Sequence, residues 1–209
     1  MLLHMADAKP SRKGFILAGG RSSRMGSDKA FLEFGGQTLL DRALGVVGTA
    51  CGNVTIVGDP VKFAKYETTK FGRTVADIFP GCGPLGGIHA ALAQSSAELS
   101  LMLAVDMPFV SSELLEFLFT AAGNAQDAVV TVPRTSHGLQ PLCAVYRRDF
   151  FAVAEQQLRA GKYKIDAAFA NLSMRLIEAD ELQAAGFPEQ CFFNLNTPED
   201  RMAAEGPSF

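Results

Sequence analysis

The stretch of this chain that is most informative about its fold is Phe15-Ile16-Leu17-Ala18-Gly19-Gly20-Arg21-Ser22-Ser23-Arg24-Met25-Gly26-Ser27-Asp28-Lys29. Its apolar beginning predicts a buried strand, and the glycines that follow end that strand in a loop. Glycines let a ligand approach the backbone closely, and successive N–H groups can bind an anion. Arginine and lysine side chains neutralise phosphate oxygens. The stretch therefore predicts a strand followed by a loop suited to a nucleoside triphosphate.

Two common nucleotide-binding patterns do not fit this loop. A dinucleotide-binding turn has the pattern G-x-G-x-x-G, but Gly19 and Gly20 are followed by no glycine before Gly26. A Walker A loop also fails, because Gly20 and Gly26 are one residue too far apart and Lys29 follows Gly26 by three. The loop is therefore a longer one that uses the same types of residue.

Short apolar runs alternate with helix-like patterns along the rest of the chain. Helices are predicted at residues 39–47, 61–69, 88–94, 112–122 and 149–160, with a last one after Pro198. Strands are predicted at residues 14–18, 54–57, 74–76, 101–105, 128–132, 142–146, 174–177 and 191–193. This alternation predicts a single-domain, three-layer α/β/α Rossmann-like fold with a mainly parallel sheet. We expect residues 1–12 to form a mobile tail and residues 13–209 to form the one domain.

Polar or glycine residues follow three of the predicted strands. The first strand ends at Gly19-Gly20, the third at Asp77 and the fourth at Asp106. Ligands of open α/β sheets bind at the carboxyl ends of the strands. We therefore expect one ligand site to collect these residues.

Composition excludes several classes of partner. The chain has 209 residues, a formal net charge of −3 and a pI of about 5.6, which argues against nucleic acid as a partner. Positive charge is nevertheless concentrated at residues 9–29, which hold six basic residues and one acidic one. No apolar stretch is long enough for a membrane span or a signal peptide. The four cysteines have no metal-binding or redox spacing, so we expect reduced thiols and a cytoplasmic protein.

The first glycine loop (residues 17–29) resembles that of the nucleotidyltransferases with a MobA-like NTP transferase domain. The shared pattern is Leu17-Ala18-Gly19-Gly20-x-x-x-Arg24-Met25-Gly26-x-Asp28-Lys29. Further stretches resemble the molybdenum cofactor guanylyltransferases of that family: Gly83-Pro84-Leu85-Gly86-Gly87, Ala104-Val105-Asp106-Met107-Pro108, Gln140-Pro141-Leu142 and Asn194-Leu195-Asn196-Thr197-Pro198-Glu199-Asp200. The resemblance covers roughly residues 14–203 and implies a fold of the nucleotide-diphospho-sugar transferase type.

This resemblance implies that the protein transfers GMP from GTP to molybdenum-molybdopterin and releases pyrophosphate, with Mg²⁺ as cofactor. It also implies transient contacts with other molybdenum cofactor biosynthesis proteins and acceptor apoenzymes. Two alternatives stay open on the residues alone. One is a cytidylyltransferase of the same fold that acts on molybdopterin or another small phosphate. The other is a nucleotide-binding protein without catalysis.

The resemblance also assigns roles to individual residues. Asn194 and Asn196 would bind molybdopterin, although Asn196 or Thr197 could instead cap the last helix. Asp106 would hold the metal, unless it serves only as a turn residue. The implied catalytic residues are Arg24, Lys29 and Asp106, and the implied GTP-binding residues are Leu17, Ala18, Gly19, Gly20, Lys29, Asp77 and Asp106.

One position departs from the family pattern. The family often has an asparagine at the end of the second strand, where this chain has Val57 followed by Gly58 and Asp59. A contact made there by a side-chain amide is lost or passes to the backbone.

Overall fold

The computed structural model describes residues 10–19, 28–66 and 73–204. Its strands are β1 (Arg12–Leu17), β2 (Glu33–Phe34), β3 (Gln37–Thr38), β4 (Val54–Val57), β5 (Thr74–Val75), β6 (Leu99–Ala104), β7 (Val130–Thr135), β8 (Gly138–Leu139), β9 (Cys143–Tyr146) and β10 (Met174–Ile177). Its helices are α1 (Leu39–Cys51), α2 (Pro60–Phe63), α3 (Pro84–Ala93), α4 (Ser112–Asn124), α5 (Phe150–Arg159), α6 (Ile165–Phe169), α7 (Ala179–Ala184) and α8 (Pro198–Ala204). Turns of 3₁₀ helix occur at Lys29–Phe31, Ala64–Tyr66 and Glu189–Phe192.

The main sheet has the strand order β10-β7-β9-β6-β1-β4-β5, and β8 pairs with β7. Strand β9 runs antiparallel to both of its neighbours, whereas β6, β1, β4 and β5 are mutually parallel. The carboxyl ends of these four strands therefore meet at one edge of the sheet. The predicted three-layer α/β architecture with a mainly parallel sheet is confirmed.

Strand β1 shows how the layers form. Phe15 and Leu17 pack in one apolar cluster with α3 and α5, whereas Ile16 and Ala18 pack in another with α1 and α4. Both faces of β1 are buried, which is why its sequence is a continuous apolar run. At Gly14 helix α1 lies directly against the strand, because a β-carbon placed there would lie 2.2 Å from Val47 Cγ1.

Capping residues mark where two of the long helices begin. Thr38 caps α1 as predicted, with its hydroxyl accepting from the Asp41 N–H at 3.0 Å. Ser111 caps α4 in the same way. Strand β1 begins at Arg12, inside the segment expected to be a tail, and the Ser11 hydroxyl accepts from the Glu98 N–H at 2.9 Å.

One element prediction is wrong, and another misses the start of its helix. Residues 191–193 form no strand; Cys191 and Phe192 end the Glu189–Phe192 3₁₀ turn, Phe193 follows it as the C-cap, and buried Phe192 packs into the core. A three-residue apolar run buries equally well in a turn, so its pattern cannot identify a strand. Helix α3 begins at Pro84 rather than at residue 88, because Pro84 occupies the first helical turn, where its fixed φ favours helix.

Other differences concern short elements. The hairpin β2/β3 and helices α6 and α7 were not predicted, since segments of two to six residues carry little periodicity. The helix predicted at 61–69 is the short α2 followed by the Ala64–Tyr66 turn, and the rest of that prediction lies outside the described residues. In the described ranges, no helix is both long and apolar enough to cross a bilayer.

Candidate active site

A cavity of about 950 Å³ opens at the carboxyl edge of the parallel strands. Residues at or just after the ends of β1, β4, β5 and β6 line it, together with the second glycine loop (residues 83–87). The sheet thus brings together residues that are distant in sequence. The lining residues are Leu17, Ala18, Gly19, Asp28, Lys29, Val57, Asp77, Pro80, Gly81, Gly83, Pro84, Gly87, Ala104, Val105, Asp106 and Leu142.

Lys29 and Asp106 form an ion pair inside this cavity. Lys29 Nζ lies 2.9 Å from Asp106 Oδ2, and the two side chains are 25% and 18% exposed. Lys29 begins the Lys29–Phe31 3₁₀ turn, whose N-cap Asp28 accepts from the Ala30 N–H at 3.1 Å. Asp28 also pairs with Lys62 of α2. The far end of the first glycine loop is thereby anchored, and it presents a cation beside a carboxylate.

Asp106 follows β6 and is fixed through its backbone. Its carbonyl accepts from the Leu195 N–H at 2.9 Å, which ties the strand end to the C-terminal segment. Leu195 is 3% exposed and belongs to the core. The Asp106 carboxylate therefore projects into the cavity from a well-supported position.

Asp77 supplies a second, differently placed carboxylate. A β-carbon on Gly19 would lie 3.6 Å from Asp77 Oδ2, and one on Gly87 would lie 3.8 Å from Oδ1. The carboxylate thus lies between two glycine backbones. Oδ1 is buried and has no hydrogen-bond partner in the described part of the chain. Burial raises the pKa of Asp77. A buried acceptor of this kind is suited to donors from a ligand.

The second glycine loop places the start of α3 at the cavity. Gly83 caps the helix with a φ of 69°, a left-handed conformation that favours glycine, and no side chain caps this end. Gly83, Pro84 and Gly87 all line the cavity. The positive end of the helix dipole therefore faces the same space as Lys29.

The two asparagines of the C-terminal motif lie in different places. Asn196 Oδ1 accepts a hydrogen bond from Lys29 Nζ at 2.5 Å. Asn194 lines a second cavity of about 480 Å³, which shares Pro84 and Leu142 with the first. Gln140, Pro141, Tyr163, Lys164 and Asp166 are among the other residues that line the second cavity. The motif therefore lines the second cavity and contacts Lys29 of the first.

The structure brings most of the predicted nucleotide residues together. Leu17, Ala18, Gly19, Lys29, Asp77 and Asp106 all line the first cavity. Gly20 and Arg24 lie outside the described residues. Two backbone groups of this set already form hydrogen bonds within the protein. The Leu17 carbonyl accepts from the Val105 N–H at 3.2 Å, and the Ala18 N–H donates to the Val57 carbonyl at 2.9 Å.

Val57 and Asp59 show what replaces the family asparagine. Val57 is buried and lines the cavity with apolar atoms. Asp59 caps α2 and accepts from the Val61 N–H at 2.9 Å, so its carboxylate serves the helix. Neither side chain therefore supplies a free amide at this strand end.

Some site residues were missed in the sequence. Tyr163 and Lys164 line the second cavity, and only the fold brings them beside Asn194. The pairing of Asp28 with Lys62 was missed for the same reason. Asp200 could have been found, because Thr197-x-x-Asp200 has the spacing of a helix capping box.

The described residues hold no cluster of three or more histidine, cysteine, aspartate or glutamate side chains that could bind a metal alone. Mg²⁺ commonly takes one or two carboxylates and completes its shell with water and substrate phosphates. Asp106, with a partly exposed carboxylate in the cavity, fits that mode of binding.

The fold and this cavity are typical of the nucleotidyltransferases. The family model of the MobA-like NTP transferase domain matches residues 14–176, and the chain belongs to this family. The probable molybdenum cofactor guanylyltransferase of Pelotomaculum thermopropionicum is 38% identical over 192 residues, which cover 91% of this chain and 90% of the relative. The molybdenum cofactor guanylyltransferase of Desulfosudis oleivorans is 34% identical over 92% of this chain and 93% of the relative.

Solved structures support the same class. The crystal structure of molybdopterin-guanine dinucleotide biosynthesis protein A from Archaeoglobus fulgidus has a TM-score of 0.79 and 27% identity, covering 92% of this chain and 96% of that chain. The 2-C-methyl-D-erythritol 4-phosphate cytidylyltransferase of Thermus thermophilus has a TM-score of 0.66 and 19% identity, covering 91% of this chain and 96% of that chain. The second likeness shows the fold alone.

Proposed function

We propose that this protein transfers GMP from GTP to molybdenum-molybdopterin, with formation of molybdopterin guanine dinucleotide and pyrophosphate. The observation that carries the proposal is the Lys29–Asp106 pair at 2.9 Å, inside a cavity that adjoins a second one. Such a layout offers a charged site for a triphosphate beside space for an acceptor. The names of the relatives support the same reaction.

The proposed reaction is a substitution at phosphorus. It depends on the positioning of both substrates and requires no nucleophile from the protein. A phosphate oxygen of molybdopterin attacks the α-phosphorus of GTP and forms a new P–O bond. The bond from that phosphorus to the oxygen bridging to the β-phosphate breaks, and pyrophosphate leaves with the negative charge. In this proposal Lys29 and Arg24 neutralise that charge, and the cavity holds both substrates within reach.

Asp106 is the proposed ligand of Mg²⁺. The bound ion would supply positive charge to the phosphate oxygens, which is the role expected of a metal in phosphoryl transfer. The backbone bond from Leu195 to Asp106 would keep the carboxylate in place.

We propose that Asp77 and the backbone of residues 17–20 recognise the guanine base. Guanine presents N–H donors on its Watson–Crick edge, and Asp77 Oδ1 is a buried acceptor without a partner in the described ranges. Cytosine presents a different pattern of donors and acceptors, so a site built for guanine would leave polar groups unpaired with CTP.

The acceptor side of the proposal rests on the second cavity. Asn194 lines it, and Asn196 contacts Lys29 of the first cavity, so the two proposed molybdopterin ligands would lie on either side of the transferred phosphate. Handover to other molybdenum cofactor biosynthesis proteins and acceptor apoenzymes would follow. We place the reaction in the cytoplasm, since all four cysteines are free thiols.

Pyrophosphate release tests the reaction. With GTP, molybdenum-molybdopterin and Mg²⁺, we expect Lys29→Met and Asp106→Asn each to slow release by about a hundredfold, because each removes a charge that acts on the phosphates. Arg159→Met is the matched control, since Arg159 is an exposed cation that pairs with Glu155 on α5.

Two results would contradict the proposal. Wild-type rates of pyrophosphate release in both site variants would remove Lys29 and Asp106 from the mechanism. A preference for CTP over GTP as the nucleotide incorporated into the product would replace guanylyl transfer with cytidylyl transfer.

A further inference from the structure

Lys29 has two partners that come from different parts of the chain. Its Nζ lies 2.9 Å from Asp106 Oδ2 and 2.5 Å from Asn196 Oδ1. A lysine side chain is a flexible four-carbon stem, so a free ammonium group samples many positions. Two acceptors on separate elements restrict that freedom, and one of them belongs to the C-terminal segment.

Asn196 is itself held by a reciprocal capping arrangement at the start of α8. Asp200 Oδ2 accepts from the backbone N–H groups of Asn196 at 2.8 Å and Thr197 at 2.9 Å. The Asp200 N–H donates in return to Thr197 Oγ1 at 3.1 Å. These bonds form a capping box, a device that fixes how a chain enters a helix.

The other side of Asn196 is fixed by its neighbour. Leu195 is 3% exposed, and its N–H donates to the Asp106 carbonyl at 2.9 Å. The backbone of residue 196 is thus held between a core residue and a helix cap. Its side chain can therefore meet Lys29 at low entropic cost.

We propose that Asn196 is a positioning residue for Lys29 and that Asp200 acts through Asn196 to keep Lys29 aimed at the nucleotide phosphates. The inference rests on the proposed function and deepens it, because it makes the C-terminal segment part of the nucleotide site. Asp200 lines neither described cavity, so its effect on the nucleotide passes through the Asn196 contact.

Binding of GTP in the presence of Mg²⁺ but without molybdopterin isolates this role. We expect Asn196→Leu to weaken GTP binding, measured by calorimetry, by about tenfold, the effect of losing one hydrogen bond to a charged group. Asn124→Leu, which changes an exposed asparagine at the end of α4, is the matched control.

Asp200 provides a rescue test. A single oxygen, Oδ2, accepts both backbone hydrogen bonds, and an asparagine side chain retains one such acceptor. We therefore expect Asp200→Ala to weaken GTP binding by about threefold. Asp200→Asn should stay close to the wild-type affinity.

A double-mutant cycle separates positioning from general damage. In a Lys29→Met background, Asn196→Leu should cause no further loss of GTP affinity, because its partner is already absent. An equal loss in both backgrounds would overturn the inference, as would wild-type GTP affinity in the single variant Asn196→Leu. Circular dichroism of each variant identifies unfolding.

The inference and the proposed function fail in different ways. A wild-type protein that binds GTP but transfers no GMP to molybdopterin contradicts the proposed function, while the GTP affinities still test Asn196. A variant Asn196→Leu that binds GTP normally and only raises the KM for molybdopterin leaves the proposed function intact and removes the positioning role.

Discussion

At the residue scale, the site depends on how individual charges are supported. Lys29 is shared between Asp106 and Asn196, whereas Asp77 Oδ1 has no partner within the described chain. A charged group with hydrogen-bond partners is already positioned for a ligand. A buried charged group without a partner lowers the stability of the folded protein until a ligand binds. Asp77 and Asp106 therefore differ in their expected mutant behaviour.

Asp77→Asn should stabilise the protein at pH 7 and weaken GTP binding. Burial raises the pKa of Asp77, so the folded state binds its proton more tightly than the unfolded state. The favourable contribution of this group is therefore present in acid and lost as the pH rises through the folded pKa. Urea unfolding should show Asp77→Asn as the more stable protein at pH 7, with the difference shrinking towards pH 4.

The ligand side of that prediction is measured by calorimetry. GTP should bind the variant about tenfold more weakly, because an amide is a poorer acceptor than a carboxylate for two N–H donors. A variant that is less stable at pH 7, or that binds GTP as tightly as the wild type, would contradict the role given to Asp77.

At the scale of elements, the contact of α1 with β1 sets the position of the first glycine loop. Gly14 lets the helix approach, since a β-carbon there would overlap Val47 Cγ1 at 2.2 Å and touch Cys51 Sγ at 3.1 Å. Burial raises the pKa of the Cys51 thiol to about 12, so this contact is an apolar one. Strand β1, which precedes Gly19, thereby packs closely against the helical layer.

Gly14→Ala should destabilise the protein by about 1–3 kcal/mol, the usual cost of forcing a group into a packed core. Gly45→Ala on the same helix is the control, because a β-carbon there meets nothing within 4 Å. Gly45→Ala should raise the free energy of unfolding by about 0.5–1 kcal/mol, since alanine is a better helix former than glycine. Chemical denaturation checks both, and a Gly14→Ala variant as stable as the wild type would contradict the close packing.

At the scale of the whole molecule, His89 is a polar group in one of the two helical layers. It belongs to α3, is 2% exposed, and lies between Phe79 at 5.0 Å and Phe151 of α5 at 4.6 Å between ring centroids. Neither ring nitrogen has a hydrogen-bond partner among the described residues. Burial lowers the pKa of His89, with Glu155 opposing that shift and Arg159 adding to it.

The stability of the whole molecule should therefore fall in mild acid. The folded state resists protonation of His89, so the unfolded state binds the proton first as the pH drops below about 6.5. Between pH 7.5 and 5 the free energy of unfolding should fall more steeply for the wild type than for His89→Phe. Equal slopes in urea titrations across that range would show that His89 does not control this dependence.

Much of the scaffold could be predicted from local pattern. Strand β4 and strand β10 lie where their apolar runs place them, and Thr38 caps α1. Long apolar runs and capping residues act locally, so one sequence suffices to find them. The same reasoning fails at residues 191–193, where Cys191 and Phe192 lie in a 3₁₀ turn that packs against the core.

Periodicity and residue type alone indicate the mainly parallel α/β class, the basic glycine loop and the carboxylates at the strand ends. Three features follow only from the packed structure: Asn196 contacts Lys29, Asp77 Oδ1 has no partner in the described ranges, and Tyr163 lines the second cavity. Lys29 and Asn196 are 167 residues apart. Contacts of that kind arise from how strands and loops pack, which no local pattern specifies.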